Sequence, residues 1–346
     1  AMLAPSNDFF HLVAPAPSVS FKQKAANDLI AGLVGSKMCI RASLLAVYTS
    51  APAQAITAGQ SSNALAPDYE GYTLVWQDEF NQDGAPDPAF WSHENGFVRN
   101  EEDQWYQPAN AMCRNGFLTI TGKVETVNNP NYNPNSNNWR QSRPTAKYTA
   151  SSIKTEGKKA FQYGRFEIRA KIPTAGGAWP AIWTLGTSME WPSCGEIDLL
   201  EYYRIKGVPH ILANTAWGTD RRWQAHWDSK AVPFSHFLEQ DPNWADNFHV
   251  WRMDWDEQYI RLYLDDELLN ETNLDSTVNA ALGQQKNPFR QPHYLLLNLA
   301  IGGINGGQPD DKAFPLEYVI DYVRVYQRSP IISLHRTGGL SIRRQR

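Results

Sequence analysis

Between about residue 68 and residue 327 the chain is a succession of short segments rich in β-branched and aromatic residues. Clusters of Pro, Gly and Asn separate the segments, and none shows helical periodicity over three turns. One short helix or turn is predicted near Asp241 to Asp246. The segments predicted as strands are TLVWQDEF, GFLTITGKV, SSIKTEG, GRFEIRAKI, GEIDLLEYY, FHVWRMDWD, YIRLYLDDELL, HYLLLNLAI and YVIDYVRVYQ.

Several of these segments alternate between apolar and charged residues. In GRFEIRAKI, Phe166, Ile168 and Ala170 share one face of a strand, and charged residues occupy the other face. Many strands with turn signals and no alternating helices indicate an antiparallel sandwich or barrel. At about 260 residues, a single large all-β jelly roll of two antiparallel sheets is the favoured fold.

Composition excludes some classes of function and favours another. The 346 residues carry a net charge of −4, so no basic field attracts nucleic acid. The 13 Trp often lie beside Gly, Pro, Asn or Asp, which favours a ligand cleft over a core location. The three cysteines, Cys39, Cys113 and Cys194, exclude a dense disulfide framework or a zinc site of the usual spacing. A Cys113–Cys194 bridge stays open.

The two ends differ from the middle of the chain. Residues 1–65 are rich in Ala, Ser and Pro, and within them Met38–Ala55 resembles a secretory signal peptide, with a disordered linker as the alternative. We therefore expect a secreted or periplasmic protein. Residues 329–346 form a basic appendage, so residues 66–328 are predicted as the single folded domain that carries the function. No apolar run has the ~18 residues of a transmembrane helix.

The segment GEIDLLEYY places three carboxylates in a predicted strand. Side chains alternate faces along a strand, so Glu196 and Asp198 share a face and Glu201 has the opposite parity. A β-bulge at Leu199-Leu200 would reset the parity and return Glu201 to the face of the other two acids. The segment therefore predicts an acidic site on one sheet face, next to aromatic residues.

Paired carboxylates are the groups that retaining glycosidases use. One attacks the anomeric carbon, and the other protonates the departing oxygen and then activates water. A third acid between them would hold the nucleophile in place. The spacing alone leaves two other interpretations open, a solvated acidic cluster and a calcium site.

The sequence resembles glycoside hydrolase family 16 in its bulged ExDxxE branch, which includes laminarinase-like β-1,3-glucanases, agarases, porphyranases and carrageenases. GEIDLLE is similar to the signature of that branch, whereas the lichenase-type and xyloglucan-active branch has the shorter ExDxE. The similarity spans about 260 residues. Its other motifs, in family order, are WQDEFN, RNEEDQWY, YGRFEIRAKIP, GAWPAIWTLG, FHVWRMDWD and IDYVRVYQ.

The resemblance implies roles for the three acids and for a set of substrate-binding residues. Glu196 is similar to the family nucleophile, Glu201 to the acid/base and Asp198 to the assisting carboxylate, at a cleft on the concave sheet. The alternatives to substrate binding are a core position for Trp179 or Trp183, a surface ion pair for Arg165 and a turn role for Asn100. The implied substrate-binding residues are Trp179, Trp183, Arg165 and Asn100, with Trp217 as a further residue that lines the cleft.

The resemblance also implies a structural calcium ion away from the cleft. Glu79 and Asp321 match positions that supply oxygen ligands in the family, with a solvated pair of acids as the alternative. No cofactor is expected for catalysis.

The slightly acidic chain and the tryptophan-rich motifs favour a neutral polysaccharide over a sulfated one, although Arg221 and Arg222 form a basic pair. We expect a monomeric endo-β-1,3-glucanase or β-1,3-1,4-glucanase whose partner is the β-glucan substrate. An agarase or porphyranase is the alternative within the family. A non-catalytic jelly-roll carbohydrate-binding protein is the alternative outside it, but such a protein has no need of the three acids.

Overall fold

The structure, a computed structural model, describes residues 65–329. The segment predicted as a signal peptide and most of the basic C-terminal appendage lie outside the described residues. The strands are β1 (Tyr72–Asp78), β2 (Ser92–His93), β3 (Gln104–Tyr106), β4 (Ala111–Arg114), β5 (Phe117–Asn128), β6 (Thr145–Ala150), β7 (Ser152–Lys154), β8 (Gly164–Lys171), β9 (Ala178–Gly186), β10 (Glu196–Ile205), β11 (Val208–Gly218), β12 (Ala225–Pro233), β13 (His249–Trp255), β14 (Tyr259–Leu264), β15 (Glu267–Asn273), β16 (His293–Ile301) and β17 (Leu316–Arg328).

Helices are few and short in this part of the chain. The α-helices are α1 (Trp139–Ser142), α2 (Phe234–Gln240) and α3 (Gly303–Gly306). A 3₁₀ turn at Trp244–Asp246 lies where the sequence predicts a short helix or turn. Within residues 65–329, no helix has the length and apolar character needed to cross a membrane.

The strands form two sheets of a jelly-roll sandwich, as predicted. The ten-stranded sheet has the order β15-β14-β13-β8-β17-β5-β6-β3, with β1 paired to β17 and β4 paired to β5. The seven-stranded sheet has the order β12-β11-β10-β9-β16-β7-β2. Neighbouring strands are antiparallel except β3 and β6, which are parallel.

The main core lies between the two sheets, and the alternation predicted for GRFEIRAKI is seen in β8. Phe166, Ile168 and Ala170 are buried in the core, at 1% exposure or less. Full burial of a Phe or Ile side chain, such as Phe166 or Ile168, contributes about 1.5–3 kcal/mol. The central strand β10 likewise directs Ile197 and Leu199 into the core, so its acids face away from it.

The two cysteines in the described region are not bridged. Cys113 and Cys194 are both buried and free, so the disulfide that the sequence left open does not form. Burial raises the pKa of each thiol to about 12, which keeps both protonated at neutral pH.

Candidate active site

The bulge predicted in GEIDLLEYY is present in β10. From Asp198 to Glu201 the strand advances three residues, while β11 advances two, from Asn214 to Leu212, and β9 also advances two. One residue of β10 is therefore extra relative to both neighbours. Leu199 and Leu200 both pack into the core. Glu201 thereby returns to the face that carries Glu196 and Asp198.

A glycine fixes the start of this strand. Gly195, just before Glu196, has φ +81°, a conformation that side chains rarely adopt. A Cβ atom at this position would lie 2.8 Å from the Cβ of Pro288. The chain therefore enters β10 through a turn that requires glycine, and Glu196 follows directly at the edge of the site.

Four hydrogen bonds from neutral side chains hold the three acids. Trp191 Nε1 donates to Glu196 Oε2 at 2.7 Å, and Trp179 Nε1 donates to Glu201 Oε1 at 3.1 Å. The amide of Asn214 bridges Asp198 and Glu201. Its Nδ2 donates to Asp198 Oδ2 at 3.2 Å and to Glu201 Oε2 at 2.9 Å. A further hydrogen bond joins the side chains of Asp198 and Glu196, so the three acids form one bonded group.

Burial raises the pKa of every acid in this group, and neighbouring negative charge adds to the rise for Asp198 and Glu201. Burial raises the pKa of Glu196 to about 7, opposed by the Trp191 hydrogen bond and the charge of Arg99. Burial and the charge of Glu196 raise the pKa of Glu201 to about 8. Asp198 is 1% exposed, and burial with the charges of both glutamates raises its pKa well above the usual value. Because Glu196 and Glu201 have different pKa values, one of them can be ionised while the other keeps its proton.

A loop before β3 supplies charges that the sequence analysis missed. Arg99 forms an ion pair with Glu94 and lies 5.1 Å from the ring centre of Trp183. Burial lowers the pKa of Arg99, but Glu94 and Glu102 raise it overall, so the guanidinium stays charged. Glu102 is 2% exposed and accepts from Gln104 Nε2 at 2.7 Å. Arg99 is therefore a fixed positive charge beside the nucleophile candidate.

Trp179 and Trp183 lie on the face of the acids, as strand parity predicts. In the pairing of β10 with β9, Trp183 is directly opposite Asp198. The two indoles are only 4% and 8% exposed. Trp179 bonds to Glu201, and Trp183 Nε1 donates to Asn298 Oδ1 at 2.7 Å. Both rings position groups of the site, and neither offers a broad exposed face for a sugar.

An exposed tryptophan lies elsewhere on this face. Trp227 in β12 is paired with Ala216, which is paired with Glu196, so the three side chains point to the same side of the sheet. Trp227 as a residue is 43% exposed. By contrast, Trp217 has the opposite parity and packs against the main core. The cleft role predicted for Trp217 is therefore wrong, because the strand pairing turns its side chain to the other face.

The structure separates Arg165 from the acids and keeps Asn100 close to them. Arg165 lies in β8 of the ten-stranded sheet, where its guanidinium binds both carboxylate oxygens of Asp254, at 2.7 and 2.9 Å. The substrate contact predicted for Arg165 is wrong, and the alternative of an ion pair holds. Asn100 has φ +56° and its Nδ2 lies 3.4 Å from Glu102 Oε1, at the edge of the site.

The two carboxylates predicted as calcium ligands form ion pairs with arginines. Arg324 donates to both oxygens of Glu79, at 2.7 and 2.8 Å, and Arg169 donates to Asp321 at 2.5 Å. Within the described residues, no group of three or more His, Cys, Asp or Glu side chains is arranged to hold a metal ion. A calcium ion at these side chains would have to displace the cationic partners that the two carboxylates already have.

Two side chains that bond to the acids, Asn214 and Trp191, had only weak signals in the sequence. Asn214 lies in LANTAWG, and only the pairing of β11 with β10 brings it opposite Asp198. Trp191 lies in a turn five residues before Glu196, where no strand pattern predicts its direction. Arg99 stands next to Asn100 in the motif RNEEDQWY, so the motif itself was the signal that could have found it.

A jelly roll with interacting carboxylates of raised pKa on the open face of one sheet defines a β-sandwich glycoside hydrolase. The sequence profile of Glycosyl hydrolases family 16 matches residues 121–324, more than half of the chain, and the chain belongs to this family. Hydrolysis by the family needs no cofactor.

Known relatives agree with this assignment. The chain is 34% identical over 287 residues to a beta-glucanase of Rhodothermus marinus, which covers 78% of this chain and 89% of that protein. The laminarinase structure from Rhodothermus marinus is 32% identical, with a TM-score of 0.60 over 74% of this chain and 97% of that chain. A structure from work on endo-acting O-glycanases that initiate mucin breakdown, from members of the human gut microbiota, is 35% identical, with a TM-score of 0.66 over 75% and 92%.

Proposed function

We propose that this chain is a retaining endo-glycosidase that hydrolyses internal bonds of a neutral β-1,3-glucan or mixed-linkage β-1,3-1,4-glucan. The observation that carries the proposal is the bonded group of Glu196, Asp198 and Glu201 on one sheet face. A protein that only binds carbohydrate gains nothing from three acids of raised pKa, of which Asp198 is buried and Glu196 and Glu201 are partly exposed, because ionising them in this site costs free energy.

Glu196 is the nucleophile in this proposal. A nucleophile has to be ionised, and Glu196 has a lower pKa, about 7, than Glu201, with a pKa of about 8. The Trp191 hydrogen bond and the charge of Arg99 favour its ionised form. Asp198, whose pKa is raised well above its usual range, keeps its proton and donates it in a hydrogen bond to Glu196.

Glu201 is the general acid and base. The neighbouring charge of Glu196 keeps Glu201 protonated near neutral pH, as a proton donor requires. Trp179 and Asn214 each bond one of its oxygens and orient it. Glu201 therefore holds a proton at a fixed position beside the nucleophile.

The reaction has two displacements. First, a Glu196 oxygen bonds to the anomeric carbon, the glycosidic C–O bond breaks, and the Glu201 proton passes to the departing oxygen. Then Glu201 takes a proton from water, the water oxygen bonds to the anomeric carbon, and the Glu196–carbon bond breaks. The sugar thus keeps its β configuration, and both carboxyl groups return to their starting states.

The choice of a neutral glucan rests on charge and on relatives. Arg99 pairs with Glu94, and Arg222, one of the basic pair noted in the sequence, bonds to Glu190 at 3.0 and 3.1 Å. These pairs neutralise cations that a sulfated polymer would need. The relatives named above include a beta-glucanase and a laminarinase.

A second candidate is the hydrolysis of β-galactosidic bonds in host glycans or in agarose-type galactans. The observations that favour it are the 35% identity to a structure from work on endo-acting O-glycanases that initiate mucin breakdown and the 28% identity, over 77% of this chain, to a keratan-sulfate endo-1,4-beta-galactosidase of Sphingobacterium multivorum. The catalytic group would act in the same way on either sugar, because the nucleophile and the acid contact the anomeric carbon and the glycosidic oxygen.

A substrate panel with a matched variant tests the proposal. We expect the wild-type chain to cleave laminarin or barley β-glucan to oligosaccharides of β configuration, as NMR of early products would record. Glu196→Ala should lower kcat by about 10⁴-fold or more with unchanged circular dichroism, because the covalent step is lost. The panel also contains agarose, porphyran, carrageenan and mucin O-glycans. Turnover of these alone would support the second candidate, and an inverted product would overturn the two-step mechanism.

We also propose that the protein is exported and monomeric. The signal-like segment Met38–Ala55 supports export. The monomer is supported by the site itself, because all three acids lie on one strand of one chain and need no second chain to complete them. N-terminal sequencing of the protein recovered from culture medium or periplasm tests export, and light scattering tests the monomer. Retention of an intact Met38–Ala55 segment in the cytoplasm, or a mass of two chains, would contradict them.

A further inference from the structure

A cavity of about 300 Å³ lies beside an asparagine-rich segment that the catalytic site does not use. The segment Asn128–Asn138 has seven asparagines in eleven residues, NNPNYNPNSNN. The cavity is lined by amides and aromatic rings, chiefly Asn95, Phe97, Trp105, Asn129, Asn131 and Arg140. Amide groups and flat apolar rings side by side are the chemistry that binds pyranose sugars, which have polar edges and apolar C–H faces.

The aromatic wall of this cavity is rigid. Trp105 is the partly exposed ring of this wall, and Phe97, at 7% exposure, supports it from behind: the two pack edge-on with ring centres 5.4 Å apart. Phe97 also lies 5.7 Å from Trp139. Gly96 has φ +84°, and a Cβ atom there would lie 3.2 Å from the Trp105 ring. Because Gly96 has no side chain, the Trp105 indole packs directly against the backbone at residue 96, and this contact fixes the position of the ring.

The polar rim is fixed as well. Asn129 Nδ2 donates to the carbonyl oxygens of Arg140 and Arg143, both at 2.8 Å, and its Oδ1 accepts from Asn131 N at 3.0 Å. Asn138 caps α1 by accepting from Arg140 N. The side chains of Asn95 and Asn131 are exposed and make no hydrogen bond to other described residues. The rim therefore holds free amides on a preorganised loop.

This cavity is separate from the catalytic face. In β3, Gln104 bonds to Glu102, and Tyr106 Oη accepts from Asn298 Nδ2 at 3.1 Å, so both face the active-site network. Trp105, between them, points to the opposite side of the strand. A ligand on Trp105 would therefore not lie on the acids.

We propose that this cavity, the asparagine-loop pocket, is a second binding site for a neutral glycan. No Asp, Glu or Lys lines it. Its one cation, Arg140, donates to the carbonyl of Val98 and stacks over Trp139 at 4.8 Å, so it is not aimed at an anion. Amides that both donate and accept match sugar hydroxyls. The choice of a β-glucan as ligand rests on the proposed function.

A second site would hold the polysaccharide to the enzyme while the cleft cuts it. Two linked contacts raise the local concentration of chain at the cleft without changing the chemistry there. The pocket should therefore affect long polymers and leave short substrates, which reach only one site at a time, unaffected.

The experiment measures stoichiometry on an inactive background. Isothermal titration of Glu196→Gln with a short soluble β-1,3-gluco-oligosaccharide should give two sites per chain, and adding Asn95→Ala and Asn131→Ala should remove one. Asn137→Ala, an exposed asparagine of the same loop that does not line the pocket, should keep both. A single site in the Glu196→Gln variant, or two sites after the pocket substitutions, would overturn the proposal.

The active enzyme gives an independent readout. Asn95→Ala with Asn131→Ala should lower kcat/KM on laminarin by about fivefold and leave it unchanged on a short oligosaccharide, a loss typical of a removed second contact. An equal loss on both substrates would contradict a separate pocket. If the wild-type chain cleaves no β-glucan, the proposed function fails. Titration with the neutral glycan that it does cleave then decides the pocket.

Discussion

At the scale of single residues, one amide links the parts of the catalytic group. Asn214 is 2% exposed, and its Nδ2 serves both Asp198 and Glu201. Its Oδ1 is buried and has no hydrogen-bond partner. A buried acceptor without a partner is unfavourable by about 1–3 kcal/mol. The orientation of Asn214 therefore serves the acids, because its donor group holds one oxygen of Asp198 and one of Glu201 while its own acceptor stays without a partner.

The pH dependence of activity follows from the two glutamates. Activity needs Glu196 ionised, so kcat/KM should rise with pH through about 7. It also needs Glu201 protonated, so kcat/KM should fall above about 8. Asn214→Ala removes a bond that lowers the pKa of Glu201, so the falling limb should move to higher pH, with a lower maximum. The rates are measured on one oligosaccharide across the range.

Ser229→Ala provides the control for this comparison, because Ser229 is paired with Asn214 in β12 and is exposed. Its profile should match that of the wild type. The two limbs belong to the coupled group rather than to single residues. A falling limb that stays in place or moves to lower pH in Asn214→Ala would show that the amide does not act on the acid.

Sequence reasoning identified the acids but not all of their partners. Strand parity placed Trp179 and Trp183 on the acid face, because both lie on one strand with a clear period. Strand parity could not predict in which sheet Arg165 lies. Arg165 lies in the ten-stranded sheet, away from the acids, and pairs there with Asp254. Trp217 and Trp227 lie ten residues apart and point to opposite faces of the sheet. Their relative direction depends on the length of the turn between β11 and β12, which the sequence pattern does not give.

At the scale of elements, the bulge in β10 decides which residues form the site. One extra residue relative to both neighbours lets Leu199 and Leu200 both enter the core while Glu201 faces the cleft. The sequence predicted this because the motif conflicts with period-2 alternation. The seven-stranded order with β10 between β9 and β11 was not predictable, since pairing partners leave no local signal.

Deletion of Leu200 tests the role of the bulge. The shortened strand alternates regularly from Asp198, so the third acid stays on the cleft face, opposite Leu212 and Ala181. We expect a folded protein with kcat/KM about 10–100-fold below wild type, because the acids shift by less than one residue. Loss of a buried leucine should destabilise it by about 2–5 kcal/mol. Hydrolysis and chemical unfolding are the two measurements.

Deletion of both Leu199 and Leu200 is the contrasting variant. It turns the third acid toward the core, so activity should fall to the level of Glu201→Ala. The interpretation of the bulge fails if the single deletion is as inactive as Glu201→Ala while its circular dichroism matches that of the wild type.

At the scale of the whole molecule, the active site opposes stability. The buried acids have pKa values far above those of an unfolded chain, so the folded state holds more protons between about pH 4.5 and about pH 8. Folding stability therefore falls as pH rises through that window, and the contribution is fully present only below it. The sandwich core supplies the free energy that keeps the acids buried.

Removing one buried charge should therefore stabilise the fold at alkaline pH and not at acidic pH. We expect Glu201→Gln to raise the free energy of unfolding by about 2 kcal/mol at pH 8, where the wild-type carboxyl ionises inside the site, and to leave it nearly unchanged at pH 4.5. Urea unfolding at both pH values measures the difference. Glu101→Gln, at an exposed position, should change neither. Equal effects of Glu201→Gln at the two pH values would show that lost packing or hydrogen bonding, rather than ionisation, sets the change.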